Sequence, residues 1–295
     1  MTGRGDMYAD VTAQVLAALD AGTVPWRMPW SPAGHMNPLT NVRYRGVNPL
    51  LCELAQFNGQ FERPLWATFK QIAAAGGKVR KGEHGTRLTY FRFIEKPDPD
   101  GTHTNAAGER VSRRAMLTRF VVFNVAQADG LELPDNPDSS RVHDPITACE
   151  RIAAGYVGRG GPTVVHGSPQ ASYGPHTDTV SVPAPERFES GESYYSVLWH
   201  ELAHSTGHAN RLARPDLLAP NSDRKAYARE ELTAEITAAM LCGQAGILPA
   251  RLDQSAAYIA NWRRRLADDP RCVVIAAQRA QHAADLILGP GELAA

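Results

Sequence analysis

The chain has 295 residues, 43% hydrophobic and 21% charged, with a formal net charge of zero at pH 7. No apolar run is long enough to span a bilayer. Four scattered cysteines without a C-x-x-C pair speak against a disulfide framework or a Cys-rich zinc knuckle. The first 22 residues lack a signal-peptide apolar block and a small-residue cleavage site, so the expected compartment is the cytoplasm.

Helical spacing of Tyr8, Val11, Val15, Leu16 and Leu19 predicts a helix over 7–20, stopped by Gly22. Residues 24–38, rich in Pro and Trp, read as an ordered loop, because large apolar groups need cover. Short helices are expected at 49–57 and 66–75, the second ended by Gly76 and Gly77. Alternating β-rich runs at 85–95 and 115–125 predict a hairpin with a long polar tip. Residues 129–144 concentrate Pro, Asp and Ser without periodicity, as linkers do. Beyond them come a helix at 146–157, strands at 162–167 and 178–183, a helix around 193–206, a helix at 227–246 and an Ala-rich helical tail at 255–289. The reading is an α+β protein of two domains, 1–128 and 145–295.

The helix around 193–206 contains His200, Glu201 and His204 in an H-E-x-x-H frame. With 10 His and 15 Glu in the chain, chance predicts roughly 0.02 copies of that frame. Positions i and i+4 share a helical face, so two imidazoles can address one ion, with Glu201 beside it as a general base for water. Ser190 or Ser193 can cap the helix and Gly207 can end it, while Tyr195, Leu198 and Leu202 face a core. Zinc is the expected ion, and it needs a further protein ligand. A third histidine in the H-E-x-x-H-x-x-G-x-x-H pattern fails at Asn210, and His208 reads as solvent-facing. An acidic ligand on the next helix remains. Glu231 and Glu235 share a face, with Glu231 as metal ligand and Glu235 orienting a histidine ring; Glu230 points about 100° away. The competing reading is an acidic helix start favoured by the helix dipole.

H-E-L-A-H-S-T-G-H (200–208) followed by Y-A-R-E-E-L-T-A-E (227–235), with ASYGPHTDTVSVP (171–183) upstream and AAYIANW (256–262) and AADLILG (283–289) downstream, resembles the ArdC antirestriction family of conjugative plasmids and mobile elements. The resemblance extends upstream through YRGVNPLL (44–51), WATFKQ (66–71), GGKVRKGEHGT (76–86) and VFNVAQADGL (122–131), so nearly the whole chain is included. It implies an N-terminal single-stranded-DNA-binding domain fused to a zincin-like, gluzincin-type metallopeptidase domain. The implied ligands are His200, His204 and Glu231, with Glu201 as base.

The N-terminal half has its own chemistry. Residues 1–134 hold 16 Lys and Arg against 12 Asp and Glu, whereas 135–295 hold 15 against 19. Residues 63–92 carry seven Lys or Arg and only Glu83 against them. A cationic groove with stacking rings suits single strands. Candidates are Arg63, Lys70, Lys78, Arg80, Lys81 and Arg87 with Trp66, Phe69 and Tyr90, while Arg43, Arg45 and Asn48 can add phosphate contacts. The same residues also read as a solvated loop over aromatics that belong to a core. The resemblance implies antirestriction as the function, protecting incoming DNA during conjugative transfer. The alternative is an active zinc endopeptidase cutting a host protein, with DNA binding only for targeting.

Overall fold

The computed structural model describes residues 6–32, 34–100, 102–104, 108–133, 144–219, 223–249 and 255–293. Most of the expected linker, 134–143, lies outside them.

Asp6 caps α1 (Met7–Asp20) by accepting from the Tyr8 N–H, and Val11, Val15 and Leu19 form its buried stripe. A 3-10 turn at Pro25–Arg27 buries Trp26. A short hairpin, β1 (Met36–Asn37) with β2 (Val42–Arg43), leads to α2 (Asn48–Gly59), which starts with Pro49 in its first turn. The helix expected over 66–75 divides in two. Trp66–Ala67 is strand β3, and Thr68 then opens α3 (Phe69–Ala74) with a reciprocal capping box to Gln71. Gly76 follows with φ +83°, as a left-handed helix stop requires.

Next come β4 (Lys78–Val79) and the expected hairpin, β5 (Thr86–Pro97) and β7 (Arg110–Asn124), paired from Thr86↔Val122 to Pro97↔Val111. β6 (His103–Thr104) and β3 also pair with β7, while β8 (Ala128–Asp129) pairs with β4.

Asp144 caps α4 (Pro145–Gly158). Strands β9 (Thr163–His166), β10 (Ser172–Gly174) and β11 (Thr179–Val182) form a sheet in the order β10-β11-β9, so β10 is an edge. Helices α5 (Gly191–Ser205), α6 (Arg224–Ala245), α7 (Ala256–Asp268) and α8 (Cys272–Leu293) complete the chain. The expected single tail at 255–289 is two helices, because Pro270 disfavours helical backbone at Asp269. α8 itself breaks at Gly289 (φ 72°, ψ 174°).

Two apolar cores result. One joins α4, β11 and α5 to α6 and α8. The other joins α1, Trp26, Trp30, α2 and the β5–β7 hairpin to Leu232 and Ile236 of α6, Trp262 of α7 and the first turns of α8. The boundary visible in the chain therefore has no matching gap in the packing: α6 and α8 serve both cores.

Candidate metal centre

Ser190 caps α5 by accepting from the Ser193 N–H, so the first of the two expected serines does this work. Tyr195, Leu198 and Leu202 are buried as the periodicity required. This seats His200, Glu201 and His204 where α6 crosses. The two Nε2 atoms stand 3.1 Å apart. Glu231 places one carboxylate oxygen 3.8 Å from His200 Nε2 and the other 3.6 Å from His204 Nε2. One donor atom from each of the three residues lies within 4.8 Å of the others. Tetrahedral ligands about 2.0–2.1 Å from zinc would be roughly 3.3 Å apart. The donor set and spacing thus fit a divalent ion of that kind.

Glu201 is 8% exposed, and the Tyr173 backbone of edge strand β10 lies close enough to work against the rise that burial gives its pKa. It lines a cleft of about 400 Å³ with His200, His204, Glu231, Tyr173 and Tyr227. Burial raises the pKa of Glu201 and of Glu231, and lowers that of His200 to about 3, helped by His204 and Arg27. A divalent cation would draw both carboxylates back toward ionisation.

The group that orients His204 is Glu230, and the expectation for Glu235 is corrected here. Glu230 is 4% exposed and accepts the His204 Nδ1–H at 3.0 Å, which leaves Nε2 with its lone pair for an ion. Arg214, itself buried, holds Glu230 with Nε at 2.8 Å and Nη2 at 2.6 Å. Burial alone would raise the Glu230 carboxyl, but the bonds from Arg214 and His204 hold it at about 2. The same glutamate raises His204 against the effect of burial. Glu235 accepts instead from Arg27 Nη2 at 3.0 Å and from the Tyr258 hydroxyl at 2.9 Å, tying α6 to the N-terminal half and to α7. Helical periodicity does separate Glu230 from Glu231. The crossing of α6 over α5 is what lets the neighbours reach opposite nitrogens of one ring.

Gly207 follows the end of α5, as expected, and has a second role. Its φ is not left-handed, and a Cβ there would come within 2.9 Å of Arg214 Cζ. The glycine makes room for the arginine that supports the site. Arg214 carries no local signal in the sequence, because its partner lies on another helix. His208 is half-buried, outside the three-residue group, and its Nδ1 accepts the Asn210 N–H at 3.2 Å.

The N-terminal candidates separate by exposure. Trp66 is fully buried and donates its indole N–H to His35 Nδ1, so it is a core residue and cannot stack on a base. Asn48 is buried too, donating to the Thr89 carbonyl at 2.7 Å and accepting the Thr89 N–H at 2.9 Å; it pins α2 to β5 and is not free for phosphate. Arg80 is tied to Glu83, Asp129 and the Ala126 carbonyl, and Arg45 is paired with Asp285. Lys70, Lys78, Lys81, Arg87 and Arg43 are exposed, as are the rings of Phe69 and Tyr90. α3 packs on β4 and β7, which keeps Phe69 and Lys78 near the hairpin.

Fold and site define a protein of two regions, a mixed α/β N-terminal half joined to a zincin-like metallopeptidase half. The chain belongs to the ArdC antirestriction family. Residues 5–123 match the model of the N-terminal domain of anti-restriction factor ArdC, and residues 153–279 match that of the zincin-like metallopeptidases. The chain is similar to the crystal structures of antirestriction protein ArdC from the R388 plasmid. Similarity to the metal-free form has a TM-score of 0.74 at 34% identity over 96% of both chains. For the Mn(II)-bound form the TM-score is 0.73 at 36% identity, over 96% of this chain and 97% of that one. It is 34% identical to the uncharacterized protein y4eC of Sinorhizobium fredii (strain NBRC 101917 / NGR234), covering 95% of this chain and 91% of the relative. A DNA primase TraC of Escherichia coli is 36% identical over 95% of this chain, which spans only 27% of that primase. Among the described residues no helix is long and apolar enough to cross a membrane.

Proposed function

We propose that this protein binds single-stranded DNA through the exposed basic and aromatic residues around β5 and α3, and that it holds one zinc ion at His200, His204 and Glu231. Its role on this reading is protection of incoming DNA during conjugative transfer. The observation that carries the metal assignment is the convergence of three donor atoms beside Glu201 at the edge of an open cleft. The Mn(II)-bound relative supports a divalent ion, and the imidazole-rich donor set favours zinc over manganese. Counterion release and base stacking give the DNA contact its basis, so binding should fall steeply with salt.

A bound divalent ion supplies Lewis acidity that polarises a carbonyl and acidifies water. Glu201 lines the cleft beside that position, where its carboxylate can take the proton of an attacking water and pass it to a departing amine. The outer edge of β10, which pairs with no further strand among the described residues, borders the same cleft and can align an extended peptide by strand addition. These features favour the second reading, an active endopeptidase with a host protein as substrate.

The variant Glu201→Gln separates the two. It should keep zinc, fold and DNA affinity, since Glu201 is not one of the three donors. If DNA coating is sufficient, as we infer, the variant protects DNA from restriction as well as wild type does. Loss of protection with unchanged DNA affinity would overturn that inference and establish the peptidase reading.

A further inference from the structure

A second cavity, of about 130 Å³, lies at the seam where the N-terminal half meets α6 and α8. Trp30, Tyr44 and Glu53 line it from one side, Met240, Gln244 and Gln281 from the other. Arg43 and Arg45, both exposed, also line it and therefore stand at its mouth, where Arg45 is paired with Asp285. The metal centre uses none of these groups.

The cavity wall carries a fixed hydrogen-bond acceptor. Glu53 is 5% exposed; one carboxylate oxygen accepts the Ser31 N–H at 2.8 Å and the other is bonded by His35 Nε2. The Trp66 indole, which can only donate, gives its N–H to His35 Nδ1 at 3.0 Å. Nδ1 is thereby the acceptor, and Nε2 carries the proton that goes to Glu53. Trp66, His35 and Glu53 thus form a chain of directed bonds ending on a carboxylate. That carboxylate can accept about four hydrogen bonds, and two donors reach it among the described residues. The remaining acceptor capacity of that carboxylate is open to a donor on a ligand.

Size and surroundings restrict the donor. A cavity of roughly 150 Å³ takes one benzene ring, so this one suits a single ring. An aromatic path leads out of it. Tyr44 stacks on Phe120 at 6.4 Å, and Phe120 meets Tyr90 edge-on at 5.8 Å. Tyr90 is 46% exposed on β5, where the strand is proposed to lie.

We propose that this cavity receives one unstacked cytosine of the bound single strand, with Glu53 accepting from its exocyclic amine and the exposed Arg43 beside a flanking phosphate. The inference rests on the single-strand reading above. A carboxylate paired with the cytosine amine is an established mode of base readout, whereas thymine presents a carbonyl there and meets the carboxylate with repulsion. An unpaired base costs least to turn out of its stack, so a single strand can supply one cheaply. The strand would then contact α6, the helix that carries Glu230 and Glu231.

The test uses the full chain and oligo-dC and oligo-dT of equal length at one salt concentration, read by fluorescence anisotropy. Oligo-dC should bind about tenfold tighter than oligo-dT, and Glu53→Gln should bring that ratio close to one. A change on the DNA alone guards against a misfolded variant: oligo-dC with dimethylated exocyclic amines should lose its advantage on the wild-type protein. Equal affinity of wild type for oligo-dC and oligo-dT overturns the cavity assignment while leaving strand binding intact. Failure of both oligonucleotides to bind removes the single-strand reading and this inference with it. Competition by free dCMP as strong as that by oligo-dC would assign the cavity to a mononucleotide and overturn the strand-borne base.

Discussion

Arg214 reaches Glu230 with two guanidinium nitrogens while a third contact, Nη2 to the Ala203 carbonyl at 2.8 Å, ties it to the end of α5. It thus sets both the charge of Glu230 and the position of the helix end carrying His204. Partners of this kind orient a ligand ring, and their loss costs roughly 10–100-fold in metal affinity. Arg214→Gln should lower zinc affinity by that factor in a chelator competition. Arg214→Lys should recover only part of it, because an ammonium cannot make the bidentate contact. Glu235→Gln should leave zinc affinity nearly unchanged, since its partners are Arg27 and Tyr258. Equal losses in Arg214→Gln and Glu235→Gln would contradict this division of labour.

Residues 206–219, which follow α5, are irregular yet anchored. Arg211 pairs with Asp178 beyond β10, and Asp216 accepts from Arg229 at 2.9 Å and also pairs with Arg279. Leu217 and Ala219 of this segment line the cleft, so Asp216 ties one cleft wall to α6 and α8. Burial works to raise the Asp216 carboxyl, but the two arginines hold it below the usual aspartate range. A carboxyl lowered in the folded state stabilises it above the unfolded pKa, about 3.9 for Asp, and the contribution fades as pH falls through the folded value. Asp216→Asn should therefore cost about 1–3 kcal/mol at neutral pH. The melting-temperature gap between wild type and variant should stay constant from neutral pH to about pH 5 and narrow below about pH 4. A gap that widens on acidification would reverse the sign of this account.

At the scale of the molecule, the N-terminal half leans on helices that come last in the chain. Trp26 meets Trp262 of α7 edge-on at 5.3 Å, and Trp30 packs so closely on α6 that a Cβ at Gly243 would come within 2.9 Å of its own Cβ. Trp262→Ala should cost about 3–5 kcal/mol, the usual range for deleting a buried aromatic, measured by chemical denaturation of the full chain. A fragment of residues 1–134 lacks Trp262, Leu232, Ile236 and α8, the partners of α1 and Trp26. It should give a broad, non-cooperative melt; a sharp transition would show that the half is independent.

What the chain reveals alone is whatever depends on spacing within one element. The stripe of α1, the β5–β7 alternation and the H-E-x-x-H frame on α5 are local patterns, and each appears where periodicity put it. The sequence narrows the α5 cap to two serines, of which Ser190 serves, but the break before α8 escapes the helical reading of 255–289 although Pro270 marks it locally. The crossing of two helices is not local, and it decided which glutamate meets which nitrogen of His204 and brought Arg214 to Glu230. Trp66 and Asn48 show the same limit in reverse. Their residue types suit DNA, but burial against His35 and Thr89 spends their hydrogen bonds inside the fold. Residue type and period are properties of the chain, whereas exposure and partnership arise only when distant segments exclude water together.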